Sequence, residues 1–195
     1  MNTREFSFDS NAPVSRRSFL GGATSATLSA AAIGLLAGAP SLVSRSARAE
    51  TGEQDIRILN TALAAEHEAV AAYQVGAGSG LLRKPALDLA VRFKGQHEEH
   101  VDLLAATVSK LGGAPTGAKA SYTFPVASLK NEEDVLRFAA GLEKGAVSAY
   151  LGAVPILGSG ELARAAASIL GDEAMHWAVL RYVLGDDPVP HAFVS

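Results

Sequence analysis

The sequence predicts an all-α protein: a four-helix bundle with a long crossover between helices 2 and 3. Three observations point there. The chain has 195 residues, 48% of them hydrophobic but only 6% aromatic, and no cysteine. That profile suits an alanine-rich helical protein better than a β-sandwich. Apolar residues recur every three or four positions in four separate stretches, the period of a half-buried helix. The first helix pair is also echoed by the second. Glu66-His-Glu-Ala-Val-Ala-Ala-Tyr73 matches Glu143-Lys-Gly-Ala-Val-Ser-Ala-Tyr150 at five of eight positions, and the interval from Glu66 to His100 (34 residues) nearly equals that from Glu143 to His176 (33).

Residues 1–49 are set apart from the fold. Ser15-Arg16-Arg17-Ser18-Phe19-Leu20 precedes a Gly/Ala/Leu-rich run from Gly21 to Val43, and Ala47-Arg48-Ala49 offers a small-x-small cleavage site. The pattern resembles a twin-arginine export signal. That resemblance implies recognition by the twin-arginine export machinery, cleavage near Ala49, a periplasmic or extracellular destination, and no stable membrane anchor afterwards. Of 17 basic and 20 acidic residues, the leader takes five arginines and two acids, which leaves 12 and 18 and a net charge of −6. This balance argues against nucleic acid as a partner. The absence of cysteine excludes disulfides, iron–sulfur clusters and cysteine-ligated zinc.

Residues 50–185 are expected to form the bundle. Helix 1 is predicted from about Thr51 to Val75, with capping-box spacing at Thr51 and Gln54, and Gly76, Gly78 and Gly80 to end it. Helix 2 opens near Pro85 and stops at Gly112-Gly113. From Ala114 to Lys130 there is no helical period, and Pro115, Gly117 and Pro125 interrupt the chain. A connection this long predicts a crossing along the bundle, with helices 2 and 3 parallel. Helix 3 starts at Asn131, with Glu132, Glu133 and Asp134 at the positive end of its dipole, and Pro155 ends or kinks it. Helix 4 runs from Ser159 to Val183, and 186–195 is a tail.

Each helix carries ionisable residues inside its apolar stripe: Glu66 on helix 1, His97 and His100 on helix 2, Glu143 on helix 3, and Glu173 and His176 on helix 4. A buried charge is costly unless something compensates it. Residues three apart share a helix face, so each histidine-containing pair can bind one ion while Glu66 and Glu143 approach from the other helices. Carboxylates and imidazoles suit iron, manganese or zinc. Tyr73, Tyr150 and Asp172 are candidates for orienting these ligands. His67 is off the stripe, and His191 lies in the tail.

A Glu from each of two helices with Glu173-Ala-Met-His176 from a third resembles the ferritin-like superfamily, in particular exported ferritin-like domain proteins with a twin-arginine signal. The resemblance spans residues 53 to 185. It implies a ferritin-like four-helix bundle holding one or two iron or manganese ions. One departure stands out. Where the family's second helix carries Glu-x-x-His, this chain has His97-Glu98-Glu99-His100, with Glu98 about 200° and Glu99 about 100° around the helix from His100. The missing carboxylate leaves either a differently bridged pair of ions or a mononuclear site open.

The resemblance implies redox handling of dioxygen or peroxide, or oxidation of the metal itself. An enzymatic version would be an oxidoreductase of ferroxidase, peroxidase or catalase type. The alternative is a non-catalytic envelope or stress-related protein on the same scaffold. A monomer or dimer is expected, because no extra C-terminal helix follows helix 4.

Overall fold

Four helices carry the four periodic stretches. The computed structural model describes residues 42–194, with side chains from Glu50 onward. The expected leader therefore lies outside the described residues apart from positions 42–49. The helices are α1 (Leu42–Gly78), α2 (Lys84–Lys110), α3 (Glu132–Ala153) and α4 (Gly160–Val183), with 3-10 turns at Val126–Ser128 and Val154–Ile156. Among the described residues there is no strand.

Helix α1 is longer than its period suggests at both ends. It begins at Leu42 and not near Thr51, because the intervening Leu, Arg, Ala and Glu favour helix and no proline follows until Pro85. It also runs through Gly76 and Gly78. A Cβ at Gly76 would lie 3.3 Å from a Val135 methyl, so this glycine serves close approach to α3 and does not break the helix. The turn comes at Gly80, with φ of +72°.

The other ends follow the local chemistry. Pro85 sits in the first turn of α2. The Asn131 side chain accepts from the Asp134 amide, and the Ser159 hydroxyl from the Leu162 amide, capping α3 and α4. The second helix of each pair terminates the same way. Gly112 (φ +84°) donates to the Ser109 carbonyl and Gly113 to Val108, while Gly185 (φ +79°) donates to Tyr182 and Asp186 to Arg181. Both are Schellman turns, which place a left-handed glycine just past the helix. The internal repeat therefore extends to the way its units end.

Two apolar clusters fill the bundle. One joins Leu59, Leu63, Leu104, Val108, Tyr150, Leu162, Ala166 and Ile169. The other joins Tyr73, Ala86, Ala90, Phe93, Leu136, Ala140 and Leu180. The first comes before the polar positions on α1 and α4 but after them on α2 and α3, and the second reverses this. So α1 and α4 run one way and α2 and α3 the other, as the long crossover requires. The ionisable residues form a layer between two greasy plugs.

The crossover is anchored at both ends. The Asn60 amide donates to the Ala114 carbonyl (3.0 Å) and accepts from the Thr116 amide (2.7 Å), and His67 Nε2 lies 3.2 Å from the Thr116 carbonyl. At the far end the Arg83 backbone and guanidinium donate to Glu132.

Leu63 is fully buried in the first plug. Leu63→Ala is expected to destabilise the protein by about 2–5 kcal/mol, read from urea unfolding in the presence of a chelator. A loss below about 1 kcal/mol would mean that the plug collapses around the deletion.

Candidate metal centre

Glu66, His97, His100, Glu143, Glu173 and His176 converge in the layer between the plugs. None is more than 9% exposed, and Glu173 is completely buried. Their helical positions account for this: each falls on the inward stripe of its helix, next to the leucines and alanines of the plugs. Glu98 and Glu99 are both exposed, and Glu98 pairs with Lys94 at 2.6 Å.

His97 is at the middle. Its Nδ1 donates to Glu66 Oε2 at 2.8 Å, its Nε2 lies 3.4 Å from Glu143 Oε1, and Glu173 Oε1 is 3.6 Å from Nδ1. His100 Nδ1 is 3.1 Å from Glu173 Oε1 and 3.4 Å from Glu66 Oε2. His176 Nδ1 stands 3.6 Å from Glu143 Oε1 and 3.8 Å from Glu173 Oε2. Two sets of four can therefore be drawn, Glu66/His97/His100/Glu173 and His97/Glu143/Glu173/His176, each with its donor atoms within 4.8 Å of one another. His97 and Glu173 belong to both.

The tyrosines exchange partners across the repeat. Tyr150 Oη donates to Glu66 Oε1 at 2.6 Å, and Tyr73 Oη donates to Glu143 Oε1. Each tyrosine lies seven residues after the glutamate of its own repeat and bonds the glutamate of the other. Burial, then the neighbouring carboxylates, push both phenols above their ordinary range, so both remain donors. Asp172 Oδ2 lies 3.4 Å from His100 Nε2 and 3.3 Å from His176 Nε2, bridging the outer nitrogens of the two rings.

Two supports escaped the sequence reading. His176 Nε2 donates to Gln96 Oε1 at 3.0 Å, and the Phe93 ring stacks on His176 at 4.0 Å between centroids. Gln96 is four residues before His100 on one helix face, which is the signal that could have found it.

Burial by itself would lower the His97 imidazolium, but the hydrogen-bonded carboxylates of Glu143 and Glu66 lift it to about 10. The same balance of burial against Glu173, Glu66 and Glu143 lifts His100 and His176 to about 9. Burial would raise Glu66, but the surrounding histidines bring it down to about 2; His176 and His97 act likewise on Glu143. Glu173 moves the other way, because burial and the adjacent Glu143 outweigh His100 and His176.

The cluster is incompletely satisfied. His100 Nδ1, His176 Nδ1 and both oxygens of Glu173 are buried without a hydrogen bond. The 3.1 Å separation of His100 and Glu173 is within ion-pair range, yet the groups are not aligned for a bond. Buried polar atoms are nearly always paired. His100 Nδ1 lies 3.1 Å from Glu173 Oε1 and His176 Nδ1 3.8 Å from Glu173 Oε2, and all four atoms belong to the type that binds a transition-metal cation. The donor set thus fits one or two such ions.

Residues 54–186 match the family model described as the ferritin-like domain. Among solved structures, a conserved hypothetical protein, rv2844, from Mycobacterium tuberculosis is similar with a TM-score of 0.64 and 25% identity, over 73% of this chain and 99% of that one. Ferritin-like, diiron-carboxylate proteins from Bacillus anthracis str. Ames are similar in fold, with a TM-score of 0.61 and 22% identity, over 69% of this chain and 97% of that one. A search of curated proteins gives no match.

Proposed function

This chain belongs to the ferritin-like domain family, and we propose that its buried Glu/His layer is a two-ion centre for iron or manganese that handles dioxygen or peroxide, or oxidises the metal it binds. The observation that carries this reading is the set of four orphaned donor atoms at the centre of the layer. The Bacillus anthracis proteins of like fold are described as diiron-carboxylate proteins, which supports it.

Glu66 and His100 would hold one ion and Glu143 and His176 the other, with Glu173 and His97 between them. Bound iron or manganese would supply one-electron chemistry and coordination positions open to an oxidant. The chain's own residues do the rest. Tyr73 and Tyr150 fix the glutamate carboxylates by donating to them. Gln96 and Asp172 hold the outer nitrogens of His176 and His100, so that their Nδ1 atoms face the centre. The plugs above and below keep water from entering along the bundle axis.

The same reading has residues 1–49 engage the twin-arginine export machinery, which carries folded cargo, and places the cleaved protein in the periplasm or outside the cell as a monomer or dimer. No described helix is long and apolar enough to cross a membrane.

Elemental analysis of protein purified from its exported location is expected to find about one or two iron or manganese ions per chain, removable by a chelator. At free metal about a thousand times the Kd, binding adds about 4 kcal/mol, so chelation should lower Tm by about 8–16 °C. No bound ion and no shift would favour a non-catalytic protein whose polar layer is only structural.

A further inference from the structure

The outward face of α4 is built unlike those of its neighbours. On α2 the exposed residues include Arg92, Glu99 and Asp102, and on α3 Arg137 and Lys144, as a helix facing water requires. On α4 only Asp172, Glu173 and His176 are ionisable between Arg164 and Arg181, and all three turn to the metal layer. From Ala165 to Leu180 the outward face therefore carries no charge, over about 24 Å of helix. It presents Ser168, Gly171, Met175, Val179 and Tyr182. Met175 and Tyr182 are 60% and 73% exposed. Steps of three and four keep these residues in one stripe. An exposed apolar stripe on an otherwise charged surface marks a contact site.

The stripe is complementary to its own reverse. Gly171 and Val179 lie four residues to either side of Met175, and Ser168 and Tyr182 lie seven. Turned end for end about Met175, each large residue meets a small one. Val179 falls on Gly171 of a second copy, and Tyr182 on Ser168. A Cβ at Gly171 would meet nothing within 4 Å, so the hollow that Val179 would fill is open in the single chain. Large side chains set against small ones let helices pack closely. A contact in which one residue meets a second, and the second meets the first, is the two-fold form that closes a dimer.

Charge sets the orientation. At the start of α4, Lys110 and Glu161 pair at 3.3 Å, which leaves the positive charge of Arg164, eleven residues before Met175. At the other end, Asp186 lies eleven residues after Met175 and Asp187 follows it. Arg137 is shared between Glu133 and Asp186, and Arg181 offsets one more acid, which leaves one negative charge. Antiparallel copies bring these unlike ends together, whereas parallel copies would oppose like ends. Exposed charges contribute little affinity but select direction.

We propose that two copies of this chain associate about a two-fold axis at Met175, with α4 packed antiparallel on the α4 of a second copy. The axis falls on the same turns as Glu173 and His176, which project from other sides of the helix, so the two metal layers of a dimer flank it. The inference rests on the surface alone and holds whether or not the layer carries metal.

The absence of cysteine makes the test clean. In the full chain, Met175→Cys is expected to form an intermolecular disulfide on mild oxidation, because the residue meets itself at the axis. Ser168→Cys and Tyr182→Cys should not link to themselves, but an equal mixture of the two should link. Sedimentation should show a concentration-dependent dimer. Gly171→Lys should weaken it at least about tenfold, while Val126→Lys, on the exposed 3-10 turn of the crossover, should leave it unchanged. A chain that stays monomeric at about 100 μM overturns the proposal. So does a dimer that Gly171→Lys leaves intact, equal weakening by Val126→Lys, or self-linking of Ser168→Cys that outpaces Met175→Cys.

Discussion

Glu173→Leu is expected to abolish metal retention while costing the metal-free protein clearly less stability than Glu143→Leu does. Glu173 contributes to both ligand sets and has no exposed surface. Both of its oxygens lack a hydrogen bond, and burial beside Glu143 raises its carboxyl above the ordinary range. A group in that condition costs the metal-free fold about 1–3 kcal/mol in desolvation, and leucine of similar volume relieves that cost without opening a cavity. Affinity for iron or manganese should fall by at least about a hundredfold, the upper end of what loss of a mere supporting partner costs. Elemental analysis reads the first effect, and unfolding in chelator reads the second.

Glu143→Leu provides the contrast. Glu143 accepts from Tyr73 and pairs with His97 and His176, so its loss leaves buried charge unpaired at a cost of about 3–5 kcal/mol. If Glu173→Leu destabilised the metal-free protein as much as Glu143→Leu, Glu173 would be a structural counter-ion and the two-ion reading would lose its central ligand.

The contrast between these glutamates shows where the sequence stops. That six ionisable residues meet at one depth was legible, because each interrupts an apolar stripe that must face the core. The parallel course of α2 and α3 followed from the unpatterned stretch Ala114–Lys130. Which glutamate is satisfied and which is orphaned depends on the register between helices. No single-helix period carries that, so the exchange of Tyr73 and Tyr150 between repeats could not be anticipated. His67 was rightly off the inward face, but its partner is a backbone carbonyl of the crossover, and side-chain patterns do not reveal backbone acceptors. The early start of α1 was masked by the leader signals that overlap it.

Metal binding by this layer is expected to expel protons, and the pH dependence should have opposite signs in the loaded and metal-free protein. His97 at about 10 and His100 and His176 at about 9 are protonated at neutral pH without metal, whereas a ligating imidazole must be neutral. Loading should release about two or three protons between pH 7 and 8, measurable by calorimetry in buffers of different ionisation enthalpy. Apparent affinity should then rise about tenfold per pH unit for each proton expelled. The metal-free fold behaves in reverse. Its histidines are raised above their ordinary value of 6.5, so the stability they contribute is complete below that pH and is lost as pH climbs through 9 and 10. Glu66, lowered from 4.5 to about 2, contributes above its unfolded value and loses that contribution as pH falls towards 2. The gap in Tm between loaded and chelated protein should therefore widen steadily from pH 6.5 to 9. A gap that stays constant, with no proton released, would mean that the ion is held without the histidines, and their convergence in the buried layer would then need a purely structural account.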